Sequence, residues 1–307
     1  MTSRNVLLLG STSFTGSHIL DQLAERHAFR RVGRDRALAD VTFDVHARDP
    51  ASLAAELDWA DVVVNCFSNG DVDRCETDPG PSRRLNLDFP VALARLQPRH
   101  DFDLIHFSSN AVYDGETPPY SERSEHRPVN TYGRLKSEAD RRLMDESDRC
   151  TVLRPITMFG RLLGNQRHNP FSFFFERLRR NENVVAVNDV YVNMLHVDTL
   201  VECVQAVLER RAFGEFNVSG DDVVNRFEFV SEIKRLLPSS TSTVTETDSA
   251  GFETAARRPR DTSFDNARMK DVLGVRPEPL GTTLEGLVAE ALEGAGSAAG
   301  EASRRAA

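Results

Sequence analysis

Tyr132 and Lys136 stand four residues apart in the stretch TYGRLK. On a helix that spacing puts both side chains on one face, so a phenol and an ammonium can enter one site. A lysine cation beside a phenol favours the phenolate and lowers its pKa from about 10 toward neutrality; a fall of about three pH units corresponds to roughly 4 kcal/mol. A tyrosine so placed can donate or accept a proton. Upstream, DLIHFSSNAVYDG ends an apolar run in Ser108 and Ser109, hydroxyls that serve either a reacting oxygen or the backbone groups of a strand end. The Tyr-x-x-x-Lys spacing also occurs on ordinary amphipathic helices, so its surroundings decide.

Residues 5–18, NVLLLGSTSFTGSH, stop an apolar run at Gly10, reach Gly16 six residues on, and fill the gap with Ser11, Thr12, Ser13, Phe14 and Thr15. Small residues at a strand-to-helix turn let a phosphate approach the backbone, and the helix N-terminus offers unpaired N–H groups and a partial positive charge. Ser13 stands where the dinucleotide pattern has its middle glycine. Along the chain a glycine turn after the first strand, a serine at a later strand end, and Tyr and Lys on the following helix occur in that order.

These residues need elements to hold them. The first half alternates β-rich apolar runs with helical segments: VLLLG, a helix about 15–26, RRVG, a helix about 50–57, DVVVNCF, a helix about 81–96, and DLIHFSS. Strands buried on both faces with helices between them predict an α/β fold, a Rossmann-type doubly wound parallel sheet with nucleotide over the C-terminal strand ends, where Gly10 falls. A helix from about Thr131 feeds the strand CTVLRPITMFG. From about Gly164 the alternation weakens into a helix (PFSFFFERLRRN), a strand (NVVAVN), a helix (VDTLVECVQAVLER), a strand (GEFNVSG) and further helices. The expected division is a nucleotide-binding domain over 1–163 with a contribution from about 184–205, and a smaller, partly interleaved α/β substrate domain over 164–290. The Ala-, Gly- and Ser-rich stretch 291–307 is expected to be a disordered tail.

At 307 residues with 40% hydrophobic and 28% charged side chains, the chain can bury a large core. Its net charge of -9 opposes nonspecific binding to nucleic acid or anionic membranes. With no signal-peptide pattern and no membrane-length apolar run, the expectation is a soluble cytoplasmic protein. Cys66, Cys75, Cys150 and Cys203 lack a C-x-x-C pair, and the eight histidines show no ligand spacing with them, so neither a disulfide framework nor a structural metal is expected.

The combination resembles the extended short-chain dehydrogenase/reductase family, whose glycine turn, serine or threonine, and Tyr-x-x-x-Lys are matched by GSTSFTG, Ser109, Tyr132 and Lys136. The likeness runs to about residue 288 and takes in Asn65 in VVVNCF, Asn86 in RRLNLDFP, LRPITMFG, HVDTL and LEGL. Within the family it is closest to the dTDP-4-dehydrorhamnose reductase branch, through NCFSNGDVDRCE, FSSNAVYDG and RPRDTSFDN; Ser13, Cys66, Phe67 and Asn110 depart from that pattern.

The resemblance implies NAD(P)H-dependent reduction of a nucleotide-linked 4-keto-6-deoxysugar. Tyr132 would protonate the developing alkoxide, Ser109 would hydrogen-bond that oxygen, and Lys136 would hold the nicotinamide ribose and lower the Tyr132 pKa. It also implies a cofactor cradle of Gly10 to Gly16, Arg34, Asp44, Val45, Cys66, Phe67, Ser68, Asn86, Ser108, Tyr132, Lys136 and Pro155. Substrate contacts would come from Ser109, Asn110, Ala111, Asn193, Arg258 and Arg260, the two arginines as bidentate partners of phosphate. Arg34 in FRRVGRDR can accept a 2′-phosphate and favours NADP, with Asp35 beside it keeping NAD as the alternative. His196 in VNMLHVD is expected at a helix start. A homodimer is an assembly the resemblance allows.

Two other readings stay open. A nucleotide-sugar epimerase or 4,6-dehydratase uses the same Tyr and Lys; dehydratases of the family carry Asp-Glu after the catalytic hydroxyl, where this chain has Asn110 and Ala111. A relative of the reductases serves as a cofactor-binding regulatory subunit of methionine adenosyltransferase, a role that needs no turnover.

Overall fold

The computed structural model describes residues 2–164 and 166–305. Strand β1 (Asn5–Leu9) enters α1 (Phe14–Leu23), followed by β2 (Ala28–Gly33), β3 (Val41–Thr42), α2 (Ala54–Trp59), β4 (Val62–Asn65), α3 (Val72–Thr77) and α4 (Pro79–Arg83). A π-helical turn, Arg84–Asp88, links α4 to α5 (Phe89–His100); β5 (Asp103–Phe107), α6 (Thr131–Glu146) and β6 (Cys150–Pro155) complete the first part. The single helix expected at about 81–96 is therefore three segments, and the widened turn in the middle holds Asn86.

The second part runs β7 (Met158–Phe159), α7 (Pro170–Arg179), β8 (Val184–Val187), β9 (Tyr191–Asn193), β10 (Leu195–His196) and α8 (Val197–Arg210). It ends with β11 (Gly214–Val218), β12 (Val223–Asn225), α9 (Arg226–Arg235), β13 (Val244–Thr247) and α10 (Leu280–Arg305). Thus the stretch expected to be a disordered tail is helical as far as Arg305, and Ala306 and Ala307 lie outside the described residues.

Seven strands form one sheet in the order β11-β6-β5-β4-β1-β2-β3, every neighbouring pair parallel. Alternation in VLLL explains its two faces. Val6 and Leu8 pack with Ile105, Leu200 and Val204 on one side, and Leu7 and Leu9 with Val63, Leu104 and Phe89 on the other. Each such side chain, fully buried, contributes about 1.5–3 kcal/mol. A third core, separate from the sheet, gathers Phe171, Phe175 and Leu178 of α7 with Phe229 and Ile233 of α9 and Leu284 and Val288 of α10.

Part of the range 184–205 does pack on the central sheet, through Leu200, Val201 and Val204 of α8. The late strand that joins the sheet is β11, which pairs with β6 and lies beyond that range. Val184–Val187 pairs instead with β13, beside the third core. No helix of the described residues is long and apolar enough to cross a membrane.

Candidate active site

At the C-terminal end of β1 the chain turns on Gly10, whose φ of +81° favours glycine. A Cβ there would meet the Cys66 carbonyl and the Phe67 ring at 3.2 Å, and one on Gly16 would overlap the Gly10 carbonyl. Ser13, with an ordinary φ of -69°, needs no glycine: it caps α1, its Oγ accepting from Gly16 N at 3.0 Å. That leaves the N–H groups of Phe14 and Thr15 facing out of the first turn. Ser11 is buried with no hydrogen-bond partner for its Oγ among the described residues. A close backbone approach, free first-turn N–H groups and an orphaned hydroxyl fit a dinucleotide's phosphates.

The rest of the expected cradle follows the sheet edge. Arg34 is exposed just past β2. Asp44 turns the chain by accepting from His46 N at 3.0 Å, and buried Val45 offers its carbonyl to Arg84 Nε at 3.0 Å. Phe67 packs against Phe43 and Phe89, with ring centroids 6.2 and 5.6 Å apart. Burial pushes the Cys66 thiol up, so it stays protonated. Asn86 Oδ1 accepts from Ser68 Oγ at 2.9 Å and from Asn69 N at 3.0 Å, fixing the loop after β4. Pro155 ends β6.

Helix α6 starts at the N-cap Asn130, which accepts from Gly133 N at 2.8 Å. A Cβ on Gly133 would run into the Ala111 carbonyl, so this glycine lets α6 approach the turn after β5. Ser109 caps that turn: its Oγ accepts from Ala111 N and donates to Asn110 Oδ1, both at 3.2 Å. Asn110 Nδ2 in turn donates to Thr262 Oγ1 at 2.7 Å. Tyr132 and Lys136 come together as the helical spacing predicts, with Nζ 6.0 Å from the ring centroid and both residues buried.

Their proton affinities differ from expectation. Burial pushes Tyr132 up to about 12; the hydroxyls of Ser109 and Ser68 pull it back, and Cys75 and Asp140 push it up further. The expected fall toward neutrality is absent because Lys136 Nζ donates to the Phe107 carbonyl, at 2.8 Å, and burial outweighs the other influences. Lys136 itself is lowered to about 8 by burial, against the pull of Asp140 and Cys75. At neutral pH both groups hold their protons, which suits a tyrosine that gives one away.

Three of the expected substrate contacts need revision or qualification. Asn193 is buried and saturated: Nδ2 donates to Ser219 Oγ, Gly220 O and Phe264 O at 2.9–3.0 Å, and Oδ1 accepts from Phe264 N at 3.0 Å. It staples segments together, and its amide N–H groups are all engaged within the fold. Arg258 is engaged too, donating to Asp73 Oδ2 and to Ala256 O at 2.9 Å. Arg260 is exposed on the same segment. His196 does stand at the start of α8, but its side chain makes no cap; the ring lies 5.4 Å from Phe159.

His126, Asp140 and Glu215 bring ligand atoms within 4.8 Å of one another. The cation among them is Arg154, fully buried and hydrogen-bonded to both carboxylates. Asp140, Arg154, Gly133 and Thr262 were not singled out from sequence. Asp140 lies one turn past Lys136 on the same face, and Arg154 and Thr262 fall within the stretches LRPITMFG and RPRDTSFDN, but nothing local in them shows that these distant segments meet the site.

Residues 4–292 match the family model described as RmlD substrate binding domain. Among relatives, a protein named probable low-salt glycan biosynthesis reductase Agl14, from Haloferax volcanii, is 26% identical over 91% of this chain and 96% of its own. Methionine adenosyltransferase 2 subunit beta of Bos taurus is 27% identical over 89% of this chain and 83% of its own. A dTDP-4-dehydrorhamnose reductase of Mycobacterium tuberculosis is 28% identical over 73% of each. The solved dTDP-4-dehydrorhamnose reductase of Bacillus anthracis, in complex with NADP, shares the fold at a TM-score of 0.80 and 18% identity, over 94% of this chain and 100% of that one. Since the family match spans nearly all of its length, the chain belongs to the RmlD substrate binding domain family, as its motifs anticipated.

Proposed function

We propose that this chain reduces the keto group of a nucleotide-linked 4-keto-6-deoxysugar with NADPH. The observation that carries the reading is Tyr132: a protonated phenol flanked by Ser109, Ser68 and the buried Lys136, at the same sheet edge as the Gly10–Gly16 turn. The dinucleotide supplies hydride when bound, held by the first-turn N–H groups of α1 and by Lys136. Tyr132 gives its proton to the oxygen that gains charge, and Ser109 holds that oxygen by a hydrogen bond. Lys136, with its Nζ turned to the Phe107 carbonyl, serves to hold the dinucleotide and leaves the tyrosine's proton affinity high. The names of the mycobacterial and archaeal relatives, both reductases, support the reaction class. Arg34 supports NADPH, as does the NADP in the complex of the Bacillus anthracis protein.

A second reading, a non-catalytic subunit, is favoured by the similarity to methionine adenosyltransferase 2 subunit beta. The test is to incubate the protein with NADPH and a panel of nucleotide 4-keto-6-deoxysugars and follow loss of NADPH absorbance. Oxidation with one of them is expected. Tyr132→Phe should then lower turnover by about 100- to 10,000-fold while leaving dinucleotide affinity nearly unchanged. No oxidation with any sugar, together with a copurifying partner, would decide for the subunit.

A further inference from the structure

Behind the Tyr132–Lys136 pair lies a charged group of side chains that the reaction above does not use. Asp140 follows Lys136 by one turn of α6 and is fully buried. Its Oδ2 accepts from Ser108 Oγ at 2.7 Å and from Arg154 Nε at 3.0 Å. Its Oδ1 has no hydrogen-bond partner among the described residues. Arg154 reaches from Asp140 to Glu215 of β11, and its Nη1 donates to the Tyr113 hydroxyl at 3.3 Å and to Asn217 Oδ1 at 3.2 Å. Lys136 Nζ is bound to the carbonyl of Phe107, the residue before Ser108.

With both carboxylates ionised, the charges balance only when Lys136 is protonated. Lys136 and Arg154 offset Asp140 and Glu215 while Lys136 keeps its proton, and a buried group left with uncompensated charge costs several kcal/mol. Facing Lys136 are Tyr132 and Asp140 from its own helix, Cys75 from α3 and His106 from β5. Burial keeps His106 neutral and the Cys75 thiol and Tyr132 phenol protonated. Asp140, paired with Arg154, is the anion among them. From other elements Asp140 meets Arg154 and Ser108, with Glu215, His126 and Tyr113 next to these.

We infer that Asp140 is a positioning residue of the reacting pair: its carboxylate holds Lys136 protonated and, through Ser108, fixes the strand end that carries Ser109. The inference rests on Tyr132 and Lys136 being that pair, but it can be read without turnover. The chain has three lysines, Lys136, Lys234 and Lys270, so isotope-labelled lysine ε-carbon resonances followed by NMR against pH report Lys136 separately. A protein that reduces no ketosugar and a Lys136 indifferent to Asp140 are thus distinct results.

Asp140→Asn should move the Lys136 titration down by about one pH unit or more, the scale expected when a nearby opposite charge is removed. Asp140→Glu should restore it, and the alkaline limb of kcat/KM should move with it. A folded Asp140→Asn protein whose Lys136 titrates at the wild-type pH overturns the inference. If that variant fails to fold, the wild-type titration decides: half-protonation above about pH 7 is expected, and a lysine already neutral there overturns it.

Discussion

Burial acts on Tyr132 and Lys136 in opposite directions, raising the phenol and lowering the ammonium, because in each case it disfavours the charged form. The two proton affinities, ordinarily close to each other, are driven apart to about 12 and about 8, which keeps the proton on the tyrosine until a more basic oxygen, such as a developing alkoxide, takes it. Ser109 and Ser68 add hydroxyls that favour the phenolate. Arg34, an exposed cation just past β2, is the residue on which the proposed choice of NADPH rests. Arg34→Glu should weaken NADPH binding much more than NADH binding, since a 2′-phosphate would meet a like charge. Titrating both dinucleotides into wild type and variant checks this, and equal losses for the two would remove the basis for preferring NADP.

At the scale of elements, the site depends on α6 lying against the turn after β5, and Gly133 sets that distance. Gly133→Ala would push its new methyl into the Ala111 carbonyl and drive the helix from the Ser109 turn. Turnover should fall by about 100-fold, as small misplacements of reacting groups do, with thermal stability lowered as well; a variant with wild-type kinetics would show that the spacing is slack. What could be read from sequence was local: the alternation of VLLLG and DLIHFSS, the glycine turn, and the one-turn spacing of Tyr132 and Lys136. What could not was set by distant partners. Nothing near Asn193 shows that Phe264 will occupy its amide, and nothing near Arg258 points to Asp73, 185 residues earlier. Membership of β11 in the central sheet is equally nonlocal, because its apolar pattern suits any buried strand.

For the molecule as a whole, four histidines are kept below their ordinary proton affinity by burial: His18, His106, His126 (to about 4) and His196. Unfolding lets them take up protons below about pH 6.5, so their stabilising contribution is complete above that pH. It is lost as pH falls, at about 1.4 kcal/mol per pH unit for each fully titrating group. Glu202 and Glu215, pushed up by burial, work the other way, but the histidines outnumber them. The urea midpoint should therefore drop between about pH 7 and pH 5, and His126→Asn should flatten the drop; a midpoint constant over that range would contradict it. The order of strands also bears on how the chain is made. Glu215, the second partner of Arg154, follows it by 61 residues, on the strand that completes the sheet after α7 and α8 have been formed. During synthesis Arg154 must wait for that strand, so a nascent chain cannot close its central sheet until Val218 has left the ribosome, and neither part can be cut free as a contiguous piece.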